Sequence, residues 1–178
     1  KPLIVWSFSY TRIVLKTKEH ELPHDLLAEK SLLGCLLIDG QSFDDIIDLK
    51  LQKEDFYHPK YGVLFSCVKS LSDNNDPIDY VTVSSRLSET GQLDILGGSS
   101  FVHDLAEDQA SSANIYHYAR TVKEKSSLRE IIRTAMRVAD SGINYSGKVD
   151  DYIREVEQSF FKLTNDAKKG GMNRLNNC

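Results

Sequence analysis

Two long amphipathic segments, joined by a single polar break, set the tightest limit on what this chain can fold into. Leu128, Ile131, Ile132, Ala135, Val138 and Ala139 recur at three-and-four spacing along the first segment. Val149, Tyr152, Ile153, Val156, Phe160 and Leu163 do the same along the second. The break between them, Ser141-Gly142-Ile143-Asn144-Tyr145-Ser146-Gly147, is short, polar and glycine-containing. This pattern predicts an αα-hairpin. Two arms alone cannot bury all of their apolar surface. The hairpin is therefore expected to meet a second copy or another protein, because large exposed apolar patches are uncommon on monomers.

Upstream the periodicity is again helical. Leu26, Leu27, Leu32, Leu33, Leu36 and Leu37 place a leucine face on a buried helix that ends near Asp39-Gly40. Ser42 is placed to cap a short helix holding Phe43, Ile46 and Ile47. After the turn at Phe56-Tyr57-His58-Pro59 a longer helix carries Tyr61, Leu64, Phe65, Val68 and Leu71, and Asp73-Asn74-Asn75-Asp76-Pro77 breaks it. Asp79 or Thr82 starts the next helix, with Val83 and Leu87 inward and Gly91 past its end; Gly97-Gly98 precedes another with Phe101, Val102 and Leu105. The fold class predicted is all-α, a compact helical bundle followed by a protruding hairpin. Residues 23–122 form the globular part, 123–165 the hairpin and 166–178 a flexible linker. Residues 1–22 are an atypical tail of unassigned role: a lineage-specific extension, a β-prone arm along Ile4 to Val14, or vector-derived residues. Leu3 to Phe8 is apolar but too short for a membrane span and has no cleavage pattern.

Composition narrows the chemistry. With 178 residues and 40% hydrophobic content the chain can bury one ordinary core. Its net charge of -4 argues against a surface that grips nucleic acid all over. Cys35, Cys67 and Cys178 form no CxxC pair, so free thiols are expected rather than a disulfide framework or a zinc site. His20 and His24 are separated by Pro23, and His103 and His117 are read as lacking a carboxylate or cysteine at ligand spacing, so no metal site is expected. Gly142, Gly147 and Lys148 satisfy the phosphate-loop pattern G-x-x-x-x-G-K. Its context fails: Val149 has no hydroxyl for magnesium, and the preceding segment reads as a helix where a buried strand is required. The motif is read as a decoy, with no nucleotide-binding and no catalytic residue in the chain.

Charge is uneven. Between Arg120 and Arg137 six basic residues face two acidic ones, a local balance of +4 that leaves -8 for the rest. Arg129, Arg133 and Arg137 recur every four residues and are expected to form one stripe. An acidic protein surface, single-stranded DNA or plain solvent each suits such a stripe, and DNA is disfavoured because no aromatic side chains interleave to stack bases.

Several fragments carry a family likeness. Ala28-Glu29-Lys30-Ser31-Leu32-Leu33-Gly34 comes first, then Asp55-Phe56-Tyr57 and Pro77-Ile78-Asp79. Gly91-Gln92-Leu93-Asp94 with Gly97-Gly98 follows, and Ser112-Ala113-Asn114-Ile115 leads into Lys123-Glu124-Lys125. In order and spacing this run, from Pro23 to Leu163, resembles the amino-terminal domain of DnaB-type replicative DNA helicases. The resemblance implies a scaffold rather than an enzyme: a collar in a hexameric ring, with paired hairpins in a trimer of dimers. It further implies docking of the primase carboxy-terminal domain and of a helicase loader. ATP, magnesium and most DNA contact would belong to a separate motor domain, in the cytoplasm with the nucleoid or in an organelle of bacterial origin. Phe101, Ile132, Arg133 and Val138 are then docking residues by position, with Arg129 and Arg137 added from the stripe. Leu128, Ile131, Ala135, Ile153, Val156 and Phe160 are the oligomerisation residues. The alternative is a stand-alone single-stranded-DNA-binding or helicase-loader accessory protein using the same hairpin.

Overall fold

A computed structural model describes residues 21–109 and 111–169. The tail expected at 1–22 lies outside them except for its last two residues, as do Cys178 and the linker beyond 169. Among the described residues every regular element is helical. The α-helices are α1 (Leu26–Ile38), α2 (Pro59–Asp73), α3 (Tyr80–Glu89), α4 (Leu93–Leu96), α5 (Ser99–Glu107), α6 (Ile115–Ile143) and α7 (Val149–Lys169). Two 3-10 segments, Gly40–Leu49 and Lys53–Asp55, lie between α1 and α2.

The centre of the molecule is α1. Nine of its thirteen residues are buried, so its apolar character goes almost all the way round. It packs against α2, α5, α6 and the longer 3-10 segment. Leu32, Leu33, Leu36, Leu64, Val68, Leu87 and Val102 are fully excluded from solvent. Burying each such side chain contributes about 1.5–3 kcal/mol. The leucine face is narrower than its spacing suggests. Leu27 is 74% exposed and Leu26 is also outside, because both lie in the first turn before the helix enters the core.

Local chemistry sets the helix ends. Asp25 accepts the Ala28 N–H at 2.9 Å, and Asp79 accepts those of Val81 and Thr82 at 2.8 Å. The cap of the longer 3-10 segment is Asp39 rather than Ser42, whose hydroxyl instead donates back to the Asp39 carbonyl at 2.6 Å. Gly97 and Gly98 have φ of 113° and 84°, positive values that glycine adopts without strain and that end α4 before α5 begins. Cys35 and Cys67 are unpaired and buried. Burial pushes the Cys67 thiol up to about 11, so it is no nucleophile at neutral pH.

The last two helices form the hairpin. The rod α6 runs unbroken for 29 residues, so the division at 122/123 between globular part and hairpin falls inside one helix. Its first half belongs to the core through Ile115, Ala119 and Val122; beyond Thr134 none of its residues is buried. The helix α7 continues to Lys169, making the start of the stretch expected as linker helical.

Close approach of α1 and α5 depends on Gly34. A Cβ there would lie 2.3 Å from Gln109 Cγ and 2.5 Å from the Leu105 carbonyl oxygen. Gly34→Ala is therefore expected to lower stability by about 1–3 kcal/mol, as overpacking does. A urea-denaturation midpoint equal to that of the unaltered protein would contradict this packing.

Candidate partner-binding and assembly surface

The surface available to partners depends on how the rod is held. Where α6 leaves the core, Arg129 is only 1% exposed. Its guanidinium donates to the Pro23 carbonyl at 2.9 Å and to the Asp55 carbonyl at 2.6 Å, and it lies over the Tyr57 ring at 5.8 Å. Beside it Glu29, on α1 and equally buried, accepts the backbone N–H groups of Tyr57 at 2.7 Å and His58 at 3.1 Å. One helical turn and a half before Arg129, the Lys123 ammonium meets the Asp55 carboxylate at 2.9 Å. Burial pulls the Arg129 guanidinium down from its ordinary range, and the field of Glu29 acts the other way.

The expected basic stripe is thus corrected. Arg129 points inward and cannot serve a partner, because it lies on the part of α6 still packed against the core. Arg133 and Arg137 remain exposed, and Arg137 donates to Thr134 Oγ1 at 3.3 Å. Ile132 and Val138 are half-buried. Phe101 lies on α5, stacked 6.1 Å from Tyr61 with the Lys60 ammonium 5.5 Å above it.

The apolar face of the hairpin is largely uncovered. Leu128 is 46% exposed, Ile131 47%, Ile153 49% and Phe160 38%, and Ala135 is exposed too. Val156 is half-buried, and no described side chain of α7 is fully buried. Phe161, next to Phe160 in sequence, is a further exposed apolar residue of α7, at 67%. The two arms do meet near their junction, where the Tyr152 hydroxyl donates to the Val138 carbonyl and the Tyr145 and Tyr152 rings lie 4.7 Å apart.

The phosphate-loop pattern is this junction. Gly142 belongs to the last turn of α6, where a Cβ would approach the Tyr152 hydroxyl to 2.8 Å. The Lys148 carbonyl accepts the Asp151 and Tyr152 N–H groups in the first turn of α7. A second correction concerns His103. It does have carboxylates at ligand spacing, since Asp104 and Glu107 share its side of α5 with Nδ1 3.7 Å from Glu107. All three are solvent-exposed, which suits an i,i+4 surface pair.

The functional residues that periodicity and charge spacing do not single out are those around Arg129: buried Glu29 and Asp55, and half-buried Lys123 and Pro23. A lone acid inside a leucine-rich helix was the available signal for Glu29.

Comparison with known proteins places this geometry. The family model for the DnaB-like helicase N terminal domain matches residues 21–124. The chain is 31% identical over 149 residues to the replicative DNA helicase DnaB of Leifsonia xyli, covering 84% of this chain and 32% of that protein. It is similar to the crystal structure of the N-terminal domain of DnaB helicase from Mycobacterium tuberculosis, with 29% identity and a TM-score of 0.74, covering 80% of this chain and 99% of that one. It also shares its fold with a DnaB-like replicative helicase whose interactions with primase have been described, at 21% identity and a TM-score of 0.66, covering 78% and 31% of the two chains. The chain spans about a third of the length of the curated relatives it matches.

Arg129→Ala leaves two carbonyls without a donor and the Glu29 carboxylate without its compensating charge. It is expected to cost about 3–5 kcal/mol, as breaking a buried charge set does. Arg133→Ala, one turn on and exposed, should change stability by less than about 0.5 kcal/mol. Urea denaturation compares the two, and equal effects would contradict the clasp.

Proposed function

The chain belongs to the DnaB-like helicase N-terminal domain family, and from that premise we propose that it is the collar of a hexameric replicative DNA helicase. It assembles the ring through its hairpin and receives the primase carboxy-terminal domain and the helicase loader, while ATP hydrolysis with magnesium and most DNA contact belong to a motor domain of the full-length protein. Its place is with the nucleoid in the cytoplasm or in an organelle of bacterial origin.

The observation that carries this reading is the uncovered apolar face formed by Leu128, Ile131, Ala135, Ile153, Val156 and Phe160. Apolar area of this kind is stabilised by removal from water, at about 25 cal/mol per Å² buried. A second hairpin laid antiparallel covers it with the same residues from each copy, the arrangement that a twofold axis produces. Three such pairs close the collar.

Docking falls to Phe101, Ile132, Val138, Arg133 and Arg137. The half-buried apolar residues supply contact, and the two exposed guanidinium groups offer bidentate recognition to carboxylates on the partner. Single-stranded DNA is the poorer match, since the stripe loses Arg129 to the core and keeps only two cations.

Two outcomes test this. Ile153→Asp and Phe160→Asp should lower the mass measured by sedimentation to that of one chain while leaving the circular dichroism spectrum unchanged, because neither residue is buried within its own chain. Retention of the assembled mass would remove the hairpin from the interface. In calorimetric titration with the primase carboxy-terminal domain from the same source, Arg133→Glu should weaken binding by at least about tenfold, equivalent to about 1.4 kcal/mol. Identical affinity would take Arg133 out of the docking site.

A further inference from the structure

The globular part carries a groove that the collar reading does not use. It lies between the longer 3-10 segment and α2, with a volume of about 340 Å³, and none of its lining residues belongs to the hairpin. Its floor is apolar: Phe43, Ile46, Leu51 and Phe65, all buried. At its lip Ile47 is 62% exposed, an apolar side chain left in water beside an apolar floor. The volume admits one bulky side chain.

The edge of the groove is cationic. Lys50 and Lys69 line it, and among the described residues neither ammonium lies within ion-pair distance of a carboxylate. Gln52 accepts from the Lys69 ammonium at 2.8 Å, and its side-chain amide donates to the backbone carbonyl of Lys50 at 3.3 Å. Lys50 has φ of 48°, a left-handed position at the end of the 3-10 segment that glycine or asparagine ordinarily fills. Asp73, one turn beyond Lys69 on α2, is the one acidic residue in the lining. Asp44, Asp45 and Asp48 are not among the lining residues.

We propose that this groove seats an acidic peptide segment of a partner protein. One bulky apolar side chain rests on Phe43, Ile46, Leu51 and Phe65, and the adjacent carboxylate lies between the Lys50 and Lys69 ammonium groups. Asp73 sets the direction by repelling the acidic end, so the carboxylate occupies the lysine edge. An apolar anchor gives affinity in such a site, and the unpaired lysines give selection against neutral and basic sequences.

The test is fluorescence anisotropy of the whole chain with a fluorescein-labelled peptide Asp-Asp-Glu-Leu-Phe that has a free carboxy terminus. Two control peptides replace either the terminal Phe by Ala or the acids by Lys. The expected result is saturable binding of the first peptide, weakened at least about tenfold by either control change and by Lys50→Glu, Lys69→Glu or Ile47→Asp. Lys50 and Ile47 are exposed, so their variants keep the fold, and circular dichroism verifies it. Absence of saturable binding to the folded chain overturns the proposal, as does equal affinity for all three peptides or for all variants. Ile47→Asp that instead splits an assembled form into single chains would give the groove to a second copy and overturn it too.

Discussion

A buried guanidinium and a buried carboxylate, each satisfied by backbone rather than by the other, hold the molecule together where α6 meets α1. Arg129 on α6 donates to the carbonyls of Pro23 and Asp55, and Glu29 on α1 accepts the amides of Tyr57 and His58. The segment from Asp55 to His58 is thus gripped from both sides. Either charge left alone there would cost several kcal/mol, so the arrangement is stable only when both are in place. Sliding α6 by one residue along α1 would turn Arg129 away from its carbonyls. The register of the rod, and so the direction in which the hairpin leaves the core, follows from these four hydrogen bonds. Lys123 with Asp55 adds a further, partly screened contact at the same seam.

The consequence reaches the far end of the hairpin. Beyond Thr134 no residue of α6 is buried, and no described side chain of α7 is buried either, so the apolar residues of both arms are left largely uncovered. The core itself is completed without α7, since α1 packs against α2, α5, α6 and the longer 3-10 segment. The spare face is therefore a product of how the core is completed. The proposed collar role needs that property, an arm with an unsatisfied apolar side whose missing contacts a partner supplies.

Much of this was readable from the sequence. The hairpin, the positions of α1 to α3 and α5, and the family itself follow from periodicity, turn residues and the spacing of short fragments. Arg129 was not readable, because Arg129, Arg133 and Arg137 have identical spacing and differ only in partners 106 and 74 residues away at Pro23 and Asp55. Ser42 and Asp39 are both good caps by type, and backbone geometry chose Asp39. Leu26 and Leu27 look like core by composition, yet they precede the point where α1 enters the bundle. The proximity of His103 to Glu107 is written in the sequence as an i,i+4 pair on a helix. The groove beside Lys50 and Lys69 is out of reach of sequence reasoning, since it joins a 3-10 segment to a helix through tertiary packing alone.

The central claim, that the clasp keeps α6 in the core while leaving α7 to be covered by another copy, is tested most directly by amide hydrogen exchange at several protein concentrations. The account predicts that amides of α1 and of α6 up to Thr134 are protected to the same extent at every concentration, whereas those of α7 gain protection as concentration rises. Protection of α7 that is already as high as that of α1 in dilute solution, and indifferent to concentration, would contradict it.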